Sequence, residues 1–414
     1  MEPQPPPSTR CGIDTVEVSR IEKLLRETAP QDLRRFFSEQ ELADANEGGG
    51  RAASLAARFA AKEACCKLFP RETALGAIEP YDFSVRKDGY GAPAIEPNAA
   101  ARATMDRNFI REIRLSLTHT ETTASAVAVA EAKMIDVPWF GKFVYHCLPL
   151  RRGVVMENLR RVFGHALPAE GIRRLAQAYY AHFIRFLGEF ICLPWMSAKQ
   201  KKAMIRVENM EVAERAHARG KGMLLLTGHF GNWEVATVAG IGAFSQFKGM
   251  FHFVRKPLKP ELVNQYVTNR FRRAGFGTIA RRGSLDTILD LLGQERIIVF
   301  VYDQHATGRE GVVVDFLGHP ASTFRSLAII AMTTGAPVIP ASSWREPDGT
   351  HVFRFEEPVP IVEHENTGEA IRLNTRAFNV ALERMLLRHP EQWIWMHQRW
   401  KADAEWERRM AAKG

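Results

Sequence analysis

The stretch GHFGNWE (228–234) places the imidazole of His229 five positions ahead of the carboxylate of Glu234. A histidine whose tautomer is fixed by a carboxylate can take the proton of an attacking hydroxyl, which is general-base chemistry. Spacing alone does not select this pair. With 13 His and 47 Asp+Glu in 414 residues, composition gives about 1.5 such coincidences by chance. The chain holds five: His165 with Glu170, His229 with Glu234, His305 with Glu310, His351 with Glu356 and His364 with Glu369. Local context separates them. His229 follows the apolar run MLLLT, and Gly228 and Gly231 leave room for a ligand and a tight turn. The first pair brackets Pro168 in a polar loop, the last lies in a charge-rich loop, and His351 and Glu356 should point to opposite faces of a strand. His305 and Glu310, in a Gly-containing loop after Asp303 and Gln304, remain candidates to touch a substrate.

A second constellation lies nearer the start. Asp14 ends GID, and Glu63 sits in FAAKEACCK one helical turn before Lys67. Two carboxylates from separate elements, with a lysine beside them, can hold Mg²⁺ together with a diphosphate, because this hard cation shares oxygen ligands with substrate phosphates. The same residues are also ordinary charges on a solvated helix face, and their spacing does not decide between the two readings.

The elements that must position these groups fall into two sets. After a Pro-rich leader (1–10), residues 11–132 read as a compact α+β unit. CGIDTVEV is a strand, SRIEKLLRET and the alanine-rich ASLAARFAAKEACCKLF are helices on either side of the EGGG loop, YDFSVRKDGYGAPAI is a hairpin region, and IRLSLTHT and SAVAVAEA are strands. Residues 133–149, with Pro and aromatics, read as a linker. Residues 150–402 read as an α/β unit with a mixed sheet flanked by helices: two amphipathic helices, then KGMLLLTGHF as a buried strand running into the helix NWEVATVAGIGAF, then RIIVFVYDQ, TFRSLAIIAMTTG and APVIPASSW as strand, helix and strand. Residues 403–414 form a tail. Two domains also suit the length.

Taken together, GIDTVEVSRIEKLL, RFFSEQEL, ASLAARFAAKEACCK, DGYGAPAI and LSLTHTETTASAVAVA resemble holo-acyl-carrier-protein synthase, the small class of 4'-phosphopantetheinyl transferases. The resemblance implies that Asp14 and Glu63 ligate Mg²⁺ on the diphosphate of coenzyme A and that Lys67 stabilises charge developing on the transferred phosphoryl group. It implies a serine of acyl carrier protein as acceptor, a carrier contact at Arg20, coenzyme-side positions at Arg58 and His119, and a homotrimer formed through this unit. Ala57 stands where the family pattern has Gly.

GHFGNWE, FVRKP, NRFRRAGFG, VYDQHATGREGVVVDFLGHPAST, TGAPVIPASS and EQWIWMHQRWK resemble the lipid A late acyltransferases, within the lysophospholipid acyltransferase group. That resemblance implies His229 as general base, Glu234 as its partner, Arg270 and Asp303 as further active-site charges, and Arg255 on an anionic lipid headgroup, where guanidinium binds phosphate as a fork. The donor is then an acyl thioester, carried by acyl carrier protein, and the acceptor a hydroxyl of a lipid A-like molecule or lysolipid. Trp393, Trp395 and Trp400 suit a core or a membrane-facing surface better than a cofactor box.

Charge and hydropathy bound the surroundings. The net charge of +9 is uneven: residues 1–133 hold 18 Lys+Arg against 20 Asp+Glu, and the remainder 38 against 27, so a basic surface belongs to the second unit. No nucleic-acid motif accompanies it. No uncharged apolar run reaches the roughly 18 residues of a spanning helix, and the start lacks the apolar core of a signal peptide. The five cysteines have no metal or redox spacing. The expectation is a cytoplasmic, bifunctional enzyme held peripherally on the inner face of the cytoplasmic membrane. The competing reading makes the first unit only a docking module for acyl carrier protein.

Overall fold

The computed structural model describes residues 10–45, 50–70, 76–148, 150–238, 247–255, 260–280 and 283–401. The leader except Arg10, the tail, most of the EGGG loop, the KP of FVRKP and the end of NWEVATVAGIGAF lie outside the described residues. The chain divides into two compact units, Met1–Asp136 with Phe163–Ile172, and Val137–Val162 with Arg173–Gly414.

In the smaller unit, β1 (Arg10–Glu17), β2 (Phe83–Lys87), β3 (Pro93–Pro97), β4 (Ile110–His119) and β5 (Thr123–Ala132) form one antiparallel sheet in the order β1-β5-β4-β3-β2. Alternation in TASAVAVAEA puts Ala124, Ala126, Ala128 and Ala130 on the buried face. The helix Arg51–Cys66 buries Leu55, Ala56, Ala57, Ala60, Ala61 and Ala64 in the same core. Small residues on both partners allow close approach, and the closest point is Gly12. A Cβ there would stand 2.0 Å from the Ala64 carbonyl oxygen and 3.3 Å from Lys67 Cβ. Asp14, two residues on and on the same face of β1, is thereby set against the C-terminal end of that helix. A buried ion pair adds to the frame: Lys62 Nζ lies 2.8 Å from Glu41, whose carboxylate also accepts from Ser38 N and Val85 N at 2.7 and 2.8 Å. Burial pulls the Lys62 ammonium below its ordinary pKa, and Glu41 opposes that pull.

In the larger unit β6 (Ile205–Glu208), β7 (Met223–Thr227), β8 (Phe251–Arg255), β9 (Gly277–Ala280), β10 (Ile297–Val301), β13 (Val338–Arg345) and β14 (His351–Phe355) form a mixed sheet in the order β6-β14-β13-β7-β10-β8-β9, and β11 (Gly311–Phe316) pairs with β12 (His319–Phe324) as a hairpin. Only the β13–β14 pair in the larger sheet runs antiparallel. MLLLT and IIVFV are continuous apolar runs because β7 and β10 are interior strands, covered on both faces. Their parallel register is Val301 opposite Thr227. Residues 228–229 and 302–303 therefore emerge side by side at the C-terminal edge, the position where α/β sheets bind ligands.

Residues 133–149, expected to be a linker, contain the helix Trp139–Cys147. Gly141 lets it pack on the helix Ala169–Cys192, since a Cβ there would meet Gln177 O at 2.8 Å and Ala181 Cβ at 2.9 Å.

Gly12→Ala should force β1 away from the helix Arg51–Cys66. A loss of about 1–3 kcal/mol is expected for such overpacking, read as a lower urea midpoint; an unchanged midpoint would contradict the close approach.

Candidate functional site

His229 sits two residues beyond the end of β7 and Asp303 two beyond β10. The His229 ring Nδ1 is 2.9 Å from Asp303 Oδ1, and its backbone N–H donates to Oδ2 at 2.7 Å. Trp393 Nε1 donates to the same Oδ2 at 2.8 Å. Asp303 is fully buried, whereas the His229 side chain keeps 17% of its surface. Burial pushes the Asp303 carboxyl up, but the His229 charge, the two His229 hydrogen bonds and His397 outweigh it and hold the group well below the carboxylate range. A permanently ionised carboxylate on Nδ1 fixes the proton there and leaves Nε2 to accept one. Trp233 stands edge-on to the ring at 4.9 Å, and His397 at 5.2 Å. Burial and then the His229 charge lower the His397 pKa.

This geometry corrects one expectation. The carboxylate on His229 Nδ1 belongs to Asp303, 74 residues away in the chain, and not to Glu234. Glu234 starts the helix Trp233–Val238 and lies with its carboxylate 3.8 Å from Arg270 Nε. Its pKa is raised by burial, with Arg270 and then Arg255 pulling it back. Arg270 stacks over Phe190 at 4.6 Å. Arg255, at the end of β8, donates to Asn264 Oδ1 and Thr268 Oγ1 at 3.0 and 3.3 Å, and burial lowers its pKa.

His229, Glu234 and Arg255 all line a cavity of about 670 Å³. Behind them its wall is apolar and aromatic, with Phe251, Phe253, Phe271, Phe276, Ile288 and Val299 among its residues. A few polar groups around one imidazole on a mostly apolar lining suit a ligand with a reactive head and a hydrocarbon tail.

In the smaller unit Lys67, capping the helix Arg51–Cys66, donates to Asp14 Oδ1 at 2.8 Å and to Ile13 O at 2.9 Å. Glu63, one turn earlier, is half-buried and has no ion pair among the described residues. Asp14 and Ala126 are paired across the sheet, as are Ala126 and Leu117, and His119 pairs with Ala124 one step further along. Direct partners share a face, so His119 lies on the same face and at the same end as Asp14. Two hard oxygen donors from a strand and a helix, one of them unpaired, with a cation alongside, fit Mg²⁺ that is completed by phosphate oxygens. No group of three His, Cys, Asp or Glu gathers for a metal among the described residues.

Arg20 is exposed and stacks over Phe59 at 5.4 Å. Arg58 is buried, donates to Ser54 Oγ at 2.5 Å and Ser54 O at 3.2 Å, and lies 4.0 Å from Asp44. Its guanidinium is engaged by Ser54 and Asp44 inside the unit. Trp393, Trp395 and Trp400 are core residues; Trp393 adds a direct bond to the Asp303 carboxylate that spacing gave no means to find. Among the other His–acid pairs, His351 is buried 3.3 Å from Glu189, while Glu356 meets Arg384 and Arg388.

The Asp303 folded-state pKa lies below its unfolded value, so its contribution to stability is complete above about pH 4 and is lost as pH falls through the folded-state value. Urea midpoints should fall progressively as pH drops below about 4, and Asp303→Asn should flatten that fall; equal slopes would contradict the assignment.

Residues 137–402 match the family model for bacterial lipid A biosynthesis acyltransferases, and residues 10–129 match the 4'-phosphopantetheinyl transferase superfamily. A holo-[acyl-carrier-protein] synthase of Treponema denticola is 44% identical over 121 residues, covering 29% of this chain and 95% of the relative. A phosphatidylinositol mannoside acyltransferase of Mycolicibacterium smegmatis is 27% identical over 257 residues, 61% of this chain and 81% of the relative. The solved holo-[acyl-carrier-protein] synthase of Neisseria meningitidis is 27% identical, with a TM-score of 0.26, over 30% of this chain and 97% of that one. The chain thus carries two transferase units: through residues 137–402 it belongs to the bacterial lipid A biosynthesis acyltransferase family, and through residues 10–129 to the holo-acyl-carrier-protein synthases of the 4'-phosphopantetheinyl transferase superfamily.

Proposed function

We propose that the chain is bifunctional, the smaller unit making holo-acyl carrier protein and the larger unit transferring an acyl group from an acyl thioester to a lipid hydroxyl. The observation that carries the second half is the His229–Asp303 pair, with His229 on the lining of the apolar cavity. The acceptor O–H loses its proton to His229 Nε2 as its oxygen bonds the acyl carbon. The C–S bond then breaks, and the thiolate leaves with the proton returned by the imidazolium. Asp303 holds the ring and supports its positive charge during transfer. The apolar interior takes the acyl chain, and Arg255 and Glu234 on its lining, with Arg270 beside Glu234, form a charged group suited to a polar, anionic headgroup.

In the smaller unit Asp14 and Glu63 would hold Mg²⁺, which supplies charge neutralisation at the diphosphate of coenzyme A. Lys67 is placed to stabilise the phosphoryl oxygens, and His119 lies on the coenzyme side of the same face. The exposed Arg20, with Lys23 and Arg26 on its helix, suits an acidic carrier protein; a homotrimer through this unit belongs to the same reading.

No described helix is long and apolar enough to cross a membrane. Trp139, Phe143 and Trp195 are exposed at 82%, 64% and 79% on the basic unit, and they suit a peripheral contact with anionic lipid.

His229→Ala should abolish acyl transfer and leave carrier modification at the wild-type rate, while Asp14→Ala or Glu63→Ala should do the reverse. Asp303→Asn should lower acyl transfer by about 10³-fold or more. Acyl transfer without carrier modification, tested against every carrier of the host, would leave the first unit a docking module. Vesicles with anionic lipid should sediment the protein at low salt, and Trp139→Ala with Trp195→Ala should weaken that binding severalfold; binding indifferent to both changes would place the contact elsewhere.

A further inference from the structure

We infer that the cluster of the buried His182 and Arg345 with the half-buried Glu189 is a positioning device for the segment that carries His229 and Glu234. The inference rests on the acyl-transfer reading above and deepens it. His182 and Glu189 lie two turns apart on the helix Ala169–Cys192, and Arg345 ends β13. Arg345 forks onto Glu189, Nε to Oε1 at 2.9 Å and Nη2 to Oε2 at 2.5 Å. The same Glu189 Oε2 accepts from Asn232 Nδ2 at 2.6 Å. Asn232 in turn accepts the backbone N–H groups of Glu234 and Val235 on its Oδ1 at 3.2 and 3.1 Å. The orientation of the Asn232 amide, and with it the start of the helix bearing Glu234, is therefore set by a carboxylate that is itself fixed by a guanidinium.

One peptide earlier the same cluster acts on the backbone. His182 Nε2 lies 3.1 Å from Gly231 O and must donate to it, which leaves Nδ1 to accept from Arg345 Nη1 at 3.3 Å. Arg345 thus selects the His182 tautomer that can hold Gly231. Gly231 has φ of +53°, and a Cβ there would meet Ser343 O at 2.5 Å, so the loop is pressed on β13 and the peptide has no slack. Its N–H donates to Gln392 O at 2.9 Å, Ser343 Oγ donates to Phe230 O at 2.9 Å, and Gln392 exchanges two bonds with the Arg345 backbone at 2.8 and 2.9 Å.

His182, Glu189 and Arg345 do not line the cavity among the described residues. They act through the loop and not on the substrate. Taking such an ion pair out of water is a weak route to stability, whereas a sub-ångström displacement of a catalytic base is costly to rate. Their effect should therefore fall on turnover more than on binding.

The test uses the full chain, palmitoyl-coenzyme A as thioester probe, water in place of the lipid hydroxyl as acyl acceptor so that palmitate and free thiol are the products, and thiol release as readout, which requires no knowledge of the lipid acceptor. Thiol release that disappears in His229→Ala establishes the reading on which the inference rests; a wild-type chain without it would overturn that reading and the inference with it. Given that activity, His182→Leu should lower kcat about tenfold with KM within about threefold. His182→Gln, which keeps a donor for Gly231 O, should return kcat to within about threefold of wild type. Wild-type kcat in His182→Leu, or no recovery in a folded His182→Gln, would overturn the inference. Should His182→Leu not fold, Arg345→Lys, which keeps the charge and loses the fork, decides in the same way: lower kcat with an unchanged KM supports the assignment, and wild-type kcat overturns it.

Discussion

A carboxylate with no exposure to solvent must find donors for its oxygens or give up its charge. Asp303 finds three: the ring and the backbone N–H of His229, and the indole of Trp393. Much of the larger unit serves that arrangement. The parallel β7–β10 register brings residues 229 and 303 to the same edge. The apolar run before each keeps both strands interior, and the buried Trp393 of EQWIWMHQRWK closes over the Asp303 carboxylate. Disconnecting any of these would leave either a buried charge without partners or an imidazole without a defined tautomer.

The smaller unit solves a similar problem by another route. There the charged groups stand at the contact between a strand and a helix, and close approach at Gly12 brings Asp14 under Lys67 and beside the turn that carries Glu63. Its site is more open than that of the larger unit, as suits the proposed transfer from a soluble nucleotide to a protein. The apolar cavity of the larger unit suits the acyl chain of the proposed reaction. Under the bifunctional reading, one unit supplies the prosthetic arm on which the other unit's acyl groups are carried.

The fold was largely legible because its signals are local. Period-two alternation in TASAVAVAEA, alanine-rich helical spacing in ASLAARFAAKEACC, and strand-to-turn breaks at GHF and DQ each fixed an element. The pairing of His229 was not legible from spacing, since it is made by strand register across 74 residues, and the nearby Glu234 offered a competing partner at attractive distance. A usable signal existed: MLLLT-GH and IIVFV-YD each place a functional residue two positions past a buried strand. The burial of Arg58 was not legible because sequence cannot tell a buried helical arginine from an exposed one, and the helix Trp139–Cys147 was hidden by the proline before it and by its short length.

The pair stands or falls on whether its members act as one. A double-mutant cycle on acyl transfer with His229→Ala, Asp303→Asn and the double variant tests this most directly. Because Asp303 has no task once the imidazole is gone, adding Asp303→Asn to His229→Ala should cost almost nothing further. Losses that multiply across the two changes would show that they act separately, and would contradict the base-and-carboxylate assignment.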